Sequence, residues 1–533
     1  MSKGKGKTVF AREATGLVRE IGWFTALALV MSAVIGSGIN GFAVTAYGYS
    51  ATNSVSPLAM VLLAGIPFLC SAVCLGIMSS AMPRSGGPYV IISRSVRPVV
   101  GYLVTWGSWV SIALSVGLLA WYDMVFWGSS FTVAGIVLSN SGLLALGGWL
   151  SSTWPSILLG LVLTIIISLL VVFGVNIWGR VVQALFIIPA VGSVLTLGVL
   201  LSHTAADFPA FWNAAFGTTT YSGTLMTWSN VMASSAPYTP SFVASLAALP
   251  GIVFAYTAFY ASSYVGGEVK NPKRNMITST VIGMLLIIVL YILYTGGLAN
   301  AIGEPFLYAY NVAYSGFAPA TLPFFAAIYA FGIPALAIFI ALTGAIWLLN
   351  DLPPFFLVAT RSTFAWSFDR QFPERFADVN ERFHSPVWST LLCLVIAIPA
   401  VFLSGLTTFS SLYFVTMIDT FTYLFICVAG LLFIRKYKSA YEKGSKLGGR
   451  GTLYLAGIIG TIFWIFMIAA MWYFILFAPS IIVFSGYVYA PFWEVTFTIL
   501  TFLIGALVYF YYKRRNAKAG IDVKRIYSEI PPE

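Results

Sequence analysis

Apolar runs of about twenty residues recur from one end of the chain to the other, and charge is confined to the intervals between them. A helical run of that length matches the roughly 30 Å hydrocarbon core of a bilayer. Lipid offers backbone groups no hydrogen-bond partners, so a spanning segment must be a helix or part of a closed barrel. The short alternating segments of a barrel do not occur in this sequence. Only 8% of residues are charged and 59% are hydrophobic, whereas soluble domains carry roughly 25% charge. The sequence predicts an all-α polytopic membrane protein of about twelve transmembrane helices. They fall near 21–49, 56–80, 99–123, 155–174, 178–202, 243–266, 277–302, 333–368, 387–405, 409–434, 453–478 and 492–512. The eighth is over-long and carries Pro353 and Pro354, so part of it is expected to project into the cytoplasm.

An even number of spans puts both termini on one side. With the amino terminus inside, the 28 Lys and Arg residues lie in the tails, at inner span ends and in the inward loops, and the outward loops hold none. That is the positive-inside pattern. It predicts a multi-pass protein of the cell membrane with cytoplasmic termini. The net charge of +11 is then a topology signal that implies no nucleic acid partner. The basic run 434–450 reads as a solvated topology anchor that can also meet anionic lipid headgroups. Residues 1–20 are basic and polar with no small-residue cleavage site after them, which suits a cytosolic tail rather than a signal peptide. Cys70, Cys74, Cys393 and Cys427 all fall in apolar segments, and the two histidines are His203 and His384. Neither a disulfide framework nor a metal centre is expected. No cofactor motif is visible either, and a G-x-x-x-x-G-K-[ST] phosphate loop is missing. The longest outward loop, 203–242, has Asp207 as its one acid, a surface suited to an acidic exterior.

The stretch AVIGSGING (33–41) sets three glycines within six residues near the middle of span 1. Glycine eases departure from helical geometry. An unwound turn there would expose amide N–H groups and the positive end of a half-helix, which suit a carboxylate. Secondary transporters with inverted repeats use half-helices in this way. Close helix packing through small residues is the other reading of the same stretch.

A repeat of five spans predicts a second break in span 6, within GIVFAYTAFYASSYVGGEVKNPKRN (251–275). Here the sequence resembles the amino acid–polyamine–organocation (APC) transporter superfamily. GLVREIGWFTALALVMSAVIGSGIN (16–40) resembles its first helix, and FAYTAF followed by GEVKNPKRN its sixth. MPRSGGPYVIISRSVRP (82–98) resembles the loop after the second helix. TRSTFAWSFDRQFPERFADVNERFHSPV (360–387) resembles the end of the eighth and its loop. The resemblance covers about residues 16–435. It implies a leucine-transporter-type 5+5 inverted repeat plus two C-terminal helices. The domains would be a tail at 1–20, a first repeat at 21–202, an outer loop at 203–242 and a second repeat at 243–434. Two further helices follow at 435–512, with a tail at 513–533.

The resemblance also implies a substrate site. The substrate's carboxylate would sit at Ile35, Gly36, Ser37, Gly38 and Ile39, and its amino group at Phe254, Ala255, Tyr256 and Thr257. Two positions depart from the family. Ala258 stands where relatives usually have Gly, which implies a tighter or shifted break. Tyr260 stands where many have Glu or Asp, which favours neutral amino acids over lysine or polyamines.

Ionisable residues inside a membrane are costly, so each is a functional candidate. Span 5 has no Lys, so the lysine that substitutes for sodium in some relatives is missing. Asp419 lies about 15 Å from the outer end of span 10 at ~1.5 Å per residue, near the midplane. Asp351 precedes two prolines that free backbone carbonyls. Either acid could hold a proton or sodium and act in coupling or gating, or be a buried Asp satisfied by hydrogen bonds. Asp123 is a third candidate, read more simply as a solvated helix end, and Glu268 as the partner of an Arg or Lys. The functional expectation is a secondary active transporter of small-molecule amino acids, proton-coupled or exchanging. A cationic amino acid or polyamine carrier is the alternative, and a non-transporting amino-acid sensor the rival of another class. No clustered nucleophiles or acid pairs suggest an enzyme.

Overall fold

A computed structural model describes residues 10–11, 17, 19–48, 54–314, 321–407, 411–477, 483–484, 487–488, 491–521 and 523–528. Most of the expected amino-terminal tail and residues 529–533 lie outside them. Among the described residues, eleven helices are long and apolar enough to cross a membrane. They are Trp23–Gly48 (span 1), Pro57–Ala81 (2), Pro98–Val137 (3), Thr153–Val172 (4), Ile177–Ser202 (5), Pro272–Ala301 (7), Pro334–Phe368 (8), Val387–Leu406 (9), Val415–Lys436 (10), Gly449–Phe477 (11) and Phe492–Lys518 (12). The protein is therefore an all-α polytopic membrane protein. Span 6 is absent from that set because it is broken. Its apolar helix Phe242–Ala255 gives way to a non-helical turn over 256–260 and then to the short helix Ala261–Tyr264.

Several spans start on a proline, including Pro57, Pro98 and Pro334. A first-turn amide has no intrahelical partner anyway, and proline's fixed φ suits that position. The spans sort into a core and a ring. Span 1 has 89% of its apolar window buried, whereas span 12 has 22%. The uncovered apolar side chains of the ring, such as Val194, Val289 and Ile462, suit contact with lipid tails.

Span 3 is much longer than the sequence suggests. It runs for 40 residues to Val137, past Asp123, the residue that marks its expected end. Its last turns are covered by a following helix, Ser141–Ser151, whose Asn140 cap accepts hydrogen bonds from Gly142 N and Leu143 N at 2.9 and 3.1 Å. A Cβ on Gly135 would meet Leu144 N at 2.7 Å. The hairpin thus closes on small residues, and the longer helix finds cover that the hydropathy pattern does not reveal. The loop 203–242 is also structured, with helices Phe208–Phe216 and Trp228–Ala233 flanking a hairpin of two-residue strands at Thr220–Tyr221 and Thr224–Leu225. Hydrogen bonds from Thr204 N and Oγ1 hold the exposed Asp207 carboxyl below its ordinary pKa.

Two buried ion pairs tie distant segments together. Arg94 Nη2 bonds both oxygens of Asp369 at 3.0 Å, and Tyr89 donates to the same carboxylate at 2.9 Å. Arg361 in span 8 grips Glu268 through Nε at 2.8 Å and Nη2 at 3.0 Å. The sequence expects a basic partner for Glu268, and this is it. The backbone carbonyl of Glu268 also accepts hydrogen bonds from Glu20 N and Ile21 N, both at 2.9 Å. One residue therefore joins the entry of span 1, the exit of span 6 and the end of span 8.

Candidate functional site

The break in span 1 is a single residue. Helix Trp23–Ile35 stops, Gly36 takes φ −45° and ψ −103°, and a second helix, Ser37–Thr45, begins at once. The sequence predicts an unwound turn, and the structure needs only this one departure. The glycines are explained by close approach rather than by positive φ. A Cβ on Gly36 would lie 2.7 Å from Asp351 Cβ, and one on Gly38 would lie 2.8 Å from the Ala255 carbonyl oxygen. The two broken spans therefore touch at Gly38 and Ala255, and span 8 closes against Gly36.

Each polar end created by the break has a partner. Ser37 offers its amide N–H and its hydroxyl to Asp351 Oδ2 at 3.2 and 3.3 Å. Asn40 Nδ2 donates to the carbonyls of Ile35 and Gly36 at 3.0 and 2.9 Å. The Tyr291 hydroxyl, from span 7, lies 2.6 Å from both the Val34 and the Ala255 carbonyl oxygens. It has one proton, so it serves one of them at a time. The amide end thus holds a carboxylate and the carbonyl ends face donors. These are the two complements of an amino acid's charged groups.

Ile35, Gly36, Ser37, Gly38 and Ile39 are all buried at this junction. Phe254 and Ala255 close the first half of span 6, Tyr256 and Thr257 begin its turn, and all four are buried. Tyr256 stacks on Phe68 at 5.0 Å, and Phe254 meets Phe42 edge-on at 5.5 Å. Ala258, where the family resemblance leads one to expect Gly, has φ +65°. That left-handed conformation costs an L-residue about 1–2 kcal/mol. Ala258→Gly is expected to stabilise the protein by roughly 1 kcal/mol, after the greater chain entropy of glycine is allowed for. A denaturation midpoint that stays in place or falls would contradict this.

The three candidate acids differ sharply. Asp419 is fully buried and accepts hydrogen bonds from Ser108, Tyr423 and Tyr260, the last at 3.0 and 2.8 Å. Its demand is met by hydroxyls. The Tyr260 side chain thus holds an acid contributed by span 10. Asp351 spends Oδ2 on Ser37, while its Oδ1 is buried without a hydrogen-bond partner. Asp123 is not the solvated helix end that its place in the sequence suggests. It is fully buried, because span 3 continues past it. The Trp127 indole approaches it from one turn on, yet neither carboxylate oxygen completes a hydrogen bond. Asp123 is also close enough to Asp351 for the two charges to interact. His203 instead stacks on Tyr329 at 4.2 Å at the start of the loop 203–242, and His384 holds a left-handed turn.

Sequence reasoning missed Asn40, Tyr291, Ser108 and Tyr423. Asn40 had a usable signal, being four residues after the breaking glycine and so one helical turn from the carbonyls it caps. The two tyrosines sit in apolar runs with nothing local to set them apart.

A family model described as amino acid permease matches residues 21–508. The rat b(0,+)-type amino acid transporter 1 is 25% identical over 297 residues, 54% of this chain and 53% of the relative. The serine/threonine exchanger SteT of Bacillus subtilis (strain 168) is 24% identical over 280 residues, 52% of this chain and 54% of the relative. The chain thus spans about half the length of these two curated relatives. The methylthioribose transporter of the same bacterium is 24% identical over 438 residues, 78% of this chain and 82% of the relative.

Proposed function

The chain belongs to the amino acid permease family, and from that premise we propose that it carries amino acids across the cell membrane by alternating access. The observation that bears most weight is the carboxylate already seated on the amide end of the span 1 break, Asp351 on Ser37. A site that accepts a side-chain carboxylate there has the donors and dipole for an α-carboxylate. Phe254, Ala255, Tyr256 and Thr257 are the complementary wall for the amino group.

Neutral substrates are favoured because Asp419, the acid beside Tyr260, has its oxygens engaged by three hydroxyls. Asp123 supports a second reading, since a buried carboxylate with open oxygens would suit a cationic amino acid or polyamine. Spans 1–5 and 6–10 are proposed as the two inverted repeats, each opening on a broken helix. Cytoplasmic termini are proposed as well, supported by the basic residues Arg19, Lys273, Arg274 and Lys443 that line one cavity of about 770 Å³. These cations suit contact with anionic lipid headgroups.

Coupling to a proton or to sodium would run through Asp351 or Asp419. Exchange is supported by the name of the Bacillus relative. Uptake of labelled amino acids into proteoliposomes, with and without an inside-alkaline pH gradient, tests the reading. Accumulation only with the gradient is the expected result. Uptake only into preloaded vesicles would make the protein an exchanger, and binding without flux would make it a sensor.

A further inference from the structure

Ser37 has one amide proton and one hydroxyl proton, and both are directed at Asp351 Oδ2. If the protein is an amino acid carrier, as proposed above, its substrate's carboxylate needs the same two protons. Two carboxylates cannot hold that seat together. We propose that Asp351 is an internal stand-in for the substrate's carboxylate, and that the substrate takes the seat only when Asp351 leaves it carrying a proton.

The surroundings of Asp351 explain why the proton is required. Span 3 faces it with Asp123, a second buried acid. Span 7 faces it with Tyr291, whose proton is directed at the Val34 and Ala255 carbonyls. Span 1 from Trp23 to Thr45 and the first half of span 6 contain no titratable residue. Span 5 contributes Arg180 alone, and it is exposed. An ionised Asp351 pushed off Ser37 would be an uncompensated buried anion, with only another acid, Asp123, beside it and no base to receive it. Protonated, it leaves as a neutral group, and its unpartnered Oδ1 is the atom open to the proton.

The exchange balances. Before binding, Ser37 holds one carboxylate, that of Asp351. Afterwards it holds one carboxylate, that of the substrate, and Asp351 has gained a proton from solvent. The charge on the seat is unchanged, and one proton enters the protein with each substrate. When the substrate leaves, Asp351 releases its proton and returns to Ser37. Gly36 is what permits the return, because a side chain there would overlap Asp351.

The test uses the purified full-length protein in weakly buffered solution with a pH-sensitive dye. Each of the twenty L-amino acids is offered, and its decarboxylated amine is offered separately. Binding is expected to take up about one proton per amino acid. Affinity should fall about tenfold for each unit of rising pH wherever Asp351 is ionised in the free protein, and level off below that range. The linkage sign follows from proton uptake on binding, so acid strengthens binding. Asp351→Asn, which keeps the shape but not the charge, should bind with a flat pH profile and no proton uptake. If that variant does not fold, the proton count on the parent protein carries the test alone. Amino acid binding without proton uptake overturns the proposal, as does binding that demands sodium instead. An amine that binds as tightly as its parent amino acid also overturns it, since such a ligand leaves Asp351 in place. If no amino acid binds or crosses at any pH, the transport reading itself has failed.

Discussion

Glu268→Gln is expected to destabilise the protein by about 3–5 kcal/mol, because it leaves the Arg361 guanidinium buried without its counter-charge. Both side chains are 1% exposed, so water cannot take over the lost interaction. Arg361→Met should cost a similar amount by stranding the carboxylate. The double variant Glu268→Gln/Arg361→Met should recover much of the loss, since desolvation of the pair disappears with it. Unfolding midpoints in one detergent would give the full cycle. A Glu268→Gln variant as stable as the parent would show that the pair contributes nothing. Additive losses in the double variant would show that the two side chains act separately.

The second large effect concerns the contact between the two broken spans. Gly38→Val is expected to leave the protein inserted but to weaken amino acid binding roughly 5- to 150-fold. The new Cβ alone would sit 2.8 Å from the Ala255 carbonyl oxygen and 2.9 Å from its Cβ, so the backbones must part. Overpacking of this kind costs about 1–3 kcal/mol, and where that strain is borne by the closed, substrate-bound state it gives the stated range at 1.4 kcal/mol per tenfold. Gly198 is the control. Its Cβ position has nothing within 4 Å, so Gly198→Val in span 5 should bind like the parent. Equal binding by both variants would remove the span 1 and span 6 contact from the site.

Much of this is legible in the sequence, for local reasons. Apolar run length marks a spanning helix, and a Gly-Ser-Gly cluster inside one admits a break or a close packing contact. Both signals are contained within a window of some twenty residues. What could not be read was set by long-range contact. Ser37 and Asp351 are 314 residues apart, and no periodicity in either span predicts that one caps the other. The same limit hid the Asp419 cage, whose donors come from spans 3, 6 and 10. Span 3 outruns its sequence signal for a different reason. An aspartate in an apolar run looks like an interface, and only the Ser141–Ser151 hairpin shows that the helix continues under cover. Ala258 carried a warning in its departure from the family pattern, and the left-handed φ is the physical form that the warning takes.

The link at Glu268 bears on how the chain is made. Its partner Arg361 lies 93 residues further along. At roughly 5–20 residues per second of synthesis, Glu268 waits about 5–20 s for its counter-charge after leaving the ribosome. Spans 1 to 6 are therefore made before the residue that pairs with the Glu268 side chain in the finished fold. Span 8 brings Arg361 and, ten residues before it, the aspartate that caps Ser37. A chain that stops short of span 8 would lack both partners, leaving the Glu268 side chain without its counter-charge and Ser37 without its carboxylate.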